Sequence, residues 1–344
     1  MSQGVKADLI AFELKVRRKE IGNSHQIAEE IVKLIKKAIK PLTRPSEVDK
    51  TIRFISDRLK KHFPYDVIIK NICELIISSL EEEIRIATPK RNSKAITRSG
   101  SICFIDYLNV PSPEIKAEDG PTSEDLKNQM MDVLENLSAN LSRAYMSIAD
   151  DASDFVHAKD IVLTIGYSNS VLNFLSNENL GATVIIPERA PEYDGIIMAS
   201  KLKSKGVPVI VIPDSAIFAI IPKVNMIILS ANAVFANGGI MSFSLSYAIA
   251  LAARHYSKPL LVLYWEMKLT KEVYHPAENS VALRQPSQVM EKDSPTHSNV
   301  TAINPDGDYI PPEFITLMIN ENGTHCPGDV FSMVQATYFF DSRK

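Results

Sequence analysis

The sequence predicts an α/β protein, with an all-helical N-terminal domain over residues 1–150 and an open, doubly wound parallel-sheet domain over 151–344. Three observations predict it. A length of 344 residues suits about two domains at roughly 100–200 residues each. Apolar residues in the first part recur at helical spacing. After Ala158 that spacing gives way to short apolar runs without polar alternation, separated by helix-like segments, which is the rhythm of βαβ units.

The first clear helix is His25–Lys40, where Ile27, Ile31, Leu34, Ile35, Ala38 and Ile39 form one stripe and Lys33, Lys36, Lys37 and Lys40 lie between them. Ser24 is its expected N-cap and Pro41 marks its end. Ser46–Lys61 repeats the pattern with Val48, Ile52, Ile55 and Leu59. Val67–Ile86 is longer and more apolar, and its Glu81, Glu82 and Glu83 are expected to face solvent. Pro89–Ala95 is polar and basic, and Asn109–Ser123, with Pro111, Pro113, Gly120 and Pro121, is expected to be a loop. Ser123–Asp150 returns to helix, capped by Ser123, with Met130, Val133, Leu134, Leu137, Leu141, Ala144 and Ile148 on one face.

In the second domain the strand candidates are Asp160–Ile165, Ala182–Pro187, Val207–Pro213, Asn225–Ser230 and Pro259–Trp265. They are β-branched or leucine-rich, as in strands covered on both faces. Asn169–Asn177, Ala190–Lys205, Ala216–Ala219 and Ser242–His255 supply the connections. Val224–Ala253 carries no charged residue. Its asparagines, glycines and serines would strand polar groups in lipid, so it reads as a buried strand, a loop and a helix and not as a membrane span. Leu269–Asp308 is less regular and is expected to be a surface excursion, with Tyr309–Phe340 returning to the fold.

Composition narrows the function. Lys+Arg 38 against Asp+Glu 41 gives a net charge of −3, which argues against general nucleic-acid binding. The three cysteines, Cys73, Cys103 and Cys326, form no CxxC pair, so neither a zinc site nor a disulfide framework is indicated, and a reducing compartment fits. The N-terminus mixes charge throughout and lacks the apolar core of a secretion signal. In that setting the sequons at Asn136, Asn140, Asn299 and Asn322 are expected to be chance matches.

The first strand of the second domain is followed by Gly166-Tyr167-Ser168-Asn169-Ser170 and not by GxGxxG, so close approach of a dinucleotide pyrophosphate is not expected. No P-loop, GxSxG or HExxH occurs, and the seven histidines are scattered. In an open sheet, binding groups sit beyond the carboxyl ends of the strands. Those ends present Asn169, Glu188, Arg189 and Asp214. Glu188 and Asp214 are suited either to acid–base work or to capping helices and holding backbone amides, with capping the weightier reading. The corner Asn237-Gly238-Gly239 suits a ligand loop or a packed turn.

Four segments in order, ERAPEYDG (188–195), IPDSAIFAIIPKVNMIILSANAVFANGG (212–239), YAIALAARHYSKPLLV (247–262) and DYIPPEFITLMINENG (308–323), resemble the regulatory alpha, beta and delta subunits of eukaryotic translation initiation factor 2B. LTIGYS (163–168) and the ending YIPPEFITLMINENG are most like the beta type. The resemblance covers Asp160–Val330, and the helical part is similar in pattern alone.

The resemblance implies a Rossmann-like second domain and a non-catalytic subunit of a guanine-nucleotide exchange complex. It further implies a decamer with alpha, gamma, delta and epsilon subunits as partners. The other expected partner is the alpha subunit of initiation factor 2, including its phosphorylated form. Neither cofactor nor metal, neither direct nucleic-acid contact nor membrane is implied, and the setting is the cytosol.

The same family includes sugar-phosphate aldose–ketose isomerases, which is the rival reading together with a sugar-phosphate-binding regulatory module. Where those enzymes carry a catalytic cysteine, this chain resembles them in register but has Gly166; their catalytic aspartate corresponds to Asn232, and their substrate loop to Gly239 and Phe243. Glycine cannot move a proton between sugar carbons, asparagine has no useful pKa, and phenylalanine cannot hold phosphate. These positions therefore read as a degenerate site. An uncharged cleft becomes packing surface, so Phe235 and Phe243 join Asn169, Glu188, Arg189 and Asp214 as candidate partner contacts.

Overall fold

The computed structural model describes residues 3–18, 20–21, 23–87, 123–148, 152–177, 180–274, 282–290 and 300–338. One compact unit is drawn from Met1–Arg143 with Ser332–Lys344, the other from Ala144–Phe331. The polar stretch Pro89–Ala95 and nearly all of the loop expected at Asn109–Ser123 lie outside the described residues, as does Cys103.

The first unit is helical: α1 (Gln3–Arg17), α2 (Ser24–Ile39), α3 (Pro45–His62), α4 (Val67–Ala87) and α5 (Ser123–Ser147). The apolar stripe of α2 is buried as its spacing predicts, through Ile31, Leu34, Ile35, Ala38 and Ile39. It meets α4 and α3, whose Ile72, Ile76, Leu80, Ile52, Ile55 and Leu59 complete the core. The N-cap of α2 is Asn23, not Ser24. Asn23 holds an extended backbone (φ −153°) and its side-chain oxygen accepts the Gln26 N–H at 2.8 Å, which puts Ser24 inside the first turn.

Glu81 is also not solvated. It is 6% exposed, and Arg53 reaches it from α3 at 3.0 Å, so a buried carboxylate is compensated by a guanidinium. Glu13 of α1 is held the same way, by Arg58 at 2.7 and 3.1 Å and by His62 at 3.1 Å. Burial pushes its carboxyl upward, but Arg58 and His62 outweigh this and leave it below the usual range. Cys73 lies in the same core, and burial pushes its thiol up to about 12.

The second unit contains a seven-stranded sheet in the order β11-β10-β7-β4-β1-β2-β3. Its strands are β1 (Ile161–Leu163), β2 (Thr183–Pro187), β3 (Val209–Ile212), β4 (Met226–Ser230), β7 (Leu260–Leu263), β10 (Leu317–Asn320) and β11 (Gly323–His325). All pair in parallel except β10 with β11. Around them run α6 (Ala152–Phe155), α7 (Asn169–Leu175), α8 (Asp194–Ser204), α9 (Ile217–Ile220) and α10 (Ser246–His255); α11 (Val330–Tyr338) follows β11 and belongs from Ser332 onward to the first unit. α7 packs on α8, and α9 packs on α10. Every predicted strand lies inside its run, so the Rossmann-like α/β class holds.

A second, four-stranded sheet departs from expectation: β8 (Leu269–Thr270), β5 (Ala233–Phe235), β6 (Ile240–Phe243) and β9 (Gly307–Ile310), paired in that order. The loop expected within Val224–Ala253 is thus a hairpin of β5 and β6. Its turn needs Gly238, at φ 80° and with no room for a side chain, since a Cβ would sit 2.2 Å from the Pro327 carbonyl oxygen. The helix expected from Ser242 begins at Ser246, because Ser242 and Phe243 pair with Asp308 and Gly307 of β9. Likewise the excursion expected from Leu269 to Asp308 starts and ends in sheet, with Leu269 fully buried. Among the described residues no helix is long and apolar enough to cross a membrane.

Candidate functional site

The chain runs outward from β1 through β2 to β3 on one side, and from β4 through β7 to β10 on the other. The switch point therefore lies between the carboxyl ends of β1 and β4, where open α/β sheets bind ligands. Here the crevice is occupied by the protein itself. The Ser242 hydroxyl donates to the Ser230 carbonyl at 2.8 Å, tying β6 across the end of β4, and Ser246 bonds to Ser242 at 3.2 Å. Beside it the Phe243 ring packs onto Gly166. Gly166 holds φ 64°, and a Cβ there would lie 2.8 Å from the ring. The space into which a side chain at 166 would project is filled by an aromatic ring.

Arg189, at the end of β2, also lies over that ring, its guanidinium carbon 5.0 Å from the centroid. It is 1% exposed. Its guanidinium makes a bidentate pair with Asp194 at 2.6 and 2.6 Å, donates to Ser244 at 3.1 Å and lies 3.5 Å from Glu192. Glu192, whose side chain is 7% exposed, pairs with Arg284 at 2.9 Å, and Arg284 pairs in turn with Asp306. The result is a ladder of alternating charge, Asp194–Arg189–Glu192–Arg284–Asp306, in which each internal member has an opposite charge on both sides. Asp214, after β3, accepts the main-chain N–H groups of Arg189 and Ala190, both at 2.8 Å. Those two bonds hold the turn in which Arg189 adopts φ 57°.

The structure thus brings Arg189, Asp214, Phe243 and Gly166 together. Glu188 is half-buried beside them and its main-chain N–H donates to Ile212. Asn169 belongs to an adjoining chain: Lys201 donates to the Tyr167 hydroxyl at 2.6 Å, and Tyr167 donates to the Asn169 side-chain oxygen. Phe235 lies apart, buried against Tyr274 and Tyr309 at 5.5 and 5.8 Å. Asn232 is exposed and its N–H pairs with Met241 at 2.7 Å. At Gly239 a Cβ would meet the Tyr309 hydroxyl at 2.2 Å, so this corner too is packed. Of the large apolar residues in the charge-free run, Tyr247 and Leu251 are exposed.

Sequence reasoning missed Glu192, Asp194, Arg284 and Asp306. The density of charge in ERAPEYD was the available signal for the first two; Arg284 and Asp306 come from the irregular excursion and carried none. It also missed a second group at the ends of β7 and β10. There the Glu321 carboxylate accepts the Glu266 N–H at 3.1 and 3.3 Å, and Asn322 donates to the Glu266 carboxylate at 2.8 Å. Burial, with Glu266 adding repulsion, pushes Glu321 up to about 8. Buried Lys268 donates to the Ala231 carbonyl at 2.6 Å. Asn320 donates to the Tyr264 hydroxyl at 3.2 Å, which leaves the phenolic proton for His325 Nε2 at 2.7 Å. Burial lowers the His325 pKa, which favours that neutral, accepting ring. No three His, Cys, Asp or Glu side chains converge as a metal site among the described residues.

Residues 20–327 match the model of the Initiation factor 2 subunit family. A relative in Schizosaccharomyces pombe, "Translation initiation factor eIF2B subunit beta", is 26% identical over 89% of this chain and 89% of its own length. The Dictyostelium discoideum protein of the same name is 29% identical over 62% of this chain, and the match spans 56% of that relative. "Ribose 1,5-bisphosphate isomerase" of Pyrococcus furiosus is 24% identical over 59% of this chain and 64% of its own. Among solved structures, "Crystal structure of the tetrameric eIF2B-beta2-delta2 complex from C. thermophilum" contains a chain that superposes with a TM-score of 0.69 at 20% identity. That likeness covers 98% of this chain and 96% of the other.

Proposed function

The chain belongs to the initiation factor 2 subunit family, and from that membership we propose that it is a non-catalytic, beta-type regulatory subunit of the initiation factor 2B exchange complex. The observation that carries the reading is the filled crevice. The family also contains isomerases, whose chemistry needs an open strand-end cleft and a group that can accept and return a proton. In this chain Phe243 occupies the space over Gly166, Arg189 is saturated by its own carboxylates, and Asn232 offers no such group.

Its partners in this reading are the alpha, gamma, delta and epsilon subunits, within a cytosolic decamer of two copies each. The alpha subunit of initiation factor 2, in plain and phosphorylated forms, docks on the assembly. Surface composition supports a sibling contact: β3 is the last strand of its sheet, its Ile210 and Val211 are 50% and 46% exposed, and Ile196 and Ile197 of the adjacent α8 are 48% and 51% exposed. A bare β-branched edge invites pairing and is normally covered. Co-expression with the sibling subunits followed by native mass measurement tests this. A stoichiometric assembly that Ile210→Lys with Ile197→Glu dissociates is expected. Turnover of ribose phosphates by the purified chain would overturn the non-catalytic reading.

A further inference from the structure

A separate surface lies where α10 ends. Tyr247, Leu251 and Arg254 stand at i, i+4 and i+7 on one face of α10, and each reaches solvent. Phe314, from the segment before β10, knits them together: Tyr247 meets its ring edge-on at 5.7 Å, and the Arg254 guanidinium lies 5.0 Å from its centroid. Beyond Arg254 opens a cavity of about 360 Å³ walled by Arg254, Ser257, Lys258, Glu313, Phe314 and Thr316. Neither Arg254 nor Lys258 forms an ion pair among the described residues. The Thr316 hydroxyl accepts the Leu260 N–H at 3.0 Å, which leaves its own proton to donate. On the other flank, Phe218 is 51% exposed against His255 and Tyr256.

We propose that this surface docks an acidic, carboxylate-bearing segment of a partner protein. One carboxylate enters between Arg254 and Lys258, and flanking apolar side chains cover Tyr247 and Leu251. Charge complementarity fixes the sign of the occupant, since Arg254 and Lys258 outnumber Glu313 on the cavity wall and neither is ion-paired with it. Glu313 repels a carboxylate from its wall and directs the approach over Arg254 and Lys258. A cavity this size is at the low end for small-molecule sites and holds one or two side chains. A free anion would leave Tyr247, Leu251 and Phe218 bare, whereas a peptide covers them. The surface shares no residue with Ile197 or Ile210, so its failure leaves the subunit reading standing.

The test uses the full-length chain and two fluorescent synthetic peptides, one of alternating leucine and glutamate pairs and one with glutamine in place of every glutamate. Anisotropy should show binding of the glutamate peptide alone, weakening as salt rises. Arg254→Glu, Lys258→Glu and Leu251→Asp should each weaken it about tenfold or more, the scale of one lost charged or packed contact. Lys203→Glu, on α8, should leave it unchanged. Because the variants are on the surface, unchanged thermal melts separate lost binding from lost folding. Equal binding of both peptides, or full binding by Arg254→Glu, overturns the proposal. So does protection by inorganic phosphate without any peptide binding, which would make the cavity a small-anion site.

Discussion

Replacing Arg189 by methionine keeps most of the side-chain volume over Phe243 and deletes the central cation of the ladder. Asp194 then loses its ion pair, formed at 2.6 Å with a side chain only 19% exposed, while Glu192 keeps Arg284 at 2.9 Å. Removing one partner of a buried pair costs about 3–5 kcal/mol. Residual exposure of Asp194 argues for the lower half of that range, and loss of the contact to the Phe243 ring adds about 0.5–2 kcal/mol. The expected loss is therefore about 3.5–6 kcal/mol. For a domain of this unit's size, each kcal/mol moves Tm by about 2–4 °C, so the melt should fall by roughly 15 °C. Urea unfolding of Arg189→Met, Asp194→Asn and the double variant provides the assay. The double should be more stable than the summed single losses by about 1–3 kcal/mol, because asparagine in place of aspartate leaves no stranded charge. A single variant losing less than about 1 kcal/mol, or strict additivity, would refute the view that this ladder is a closed, buried charge network.

Three other expectations follow from the same structure. Glu321 holds its proton to about pH 8, whereas in the unfolded chain it releases it near its ordinary value of 4.5, so the folded state binds more protons between those limits. Stability should fall as pH rises across that window, by on the order of a few kcal/mol, and Glu321→Gln should flatten the decline in urea titrations; an unchanged slope would refute the assignment. Gly166→Ala should cost about 2–4 kcal/mol, combining a left-handed backbone with a ring 2.8 Å from the new carbon. In a Phe243→Ala background the steric share should vanish, and an equal cost in both backgrounds would show that the ring does not fill the crevice. Buried Cys73, its thiol pushed up to about 12, should resist alkylation in the native chain, while exposed Cys326 reacts; peptide mapping after labelling reads both, and native labelling of Cys73 would contradict its burial.

The filled crevice has one consequence for how the family divides. The same sheet order can present an open strand end or one closed by its own side chains. Two residues decide it here, a glycine without a Cβ and a ring that takes the space. Both were legible in the chain as departures from the isomerase pattern; that they touch was not. The partner candidates divided in the same way. Arg189 and Asp214 were marked by lying just past strand ends, and they do meet, but Arg189 is an internal strut and Asp214 a clamp on main-chain N–H groups. Phe235 has the composition of an interface aromatic, yet it packs against the stacked rings of Tyr274 and Tyr309.

Local spacing was enough to place α2, α3, α4 and the five parallel strands, because burial on one stripe or on both faces writes itself into neighbouring residues. It was enough, too, to read a buried strand in the first part of Val224–Ala253, since a charge on β4 would lack solvent. Spacing could not tell that Glu81 turns inward, because that depends on Arg53 arriving from another helix. Nor could it anticipate the second sheet, whose strands are short and whose pairing with β8 and β9 joins distant segments. The charge ladder is the extreme case: Arg284 and Asp306 mean nothing until the chain folds back upon Glu192. Ionic partners are chosen by where the backbone ends up, and only packing in three dimensions settles that.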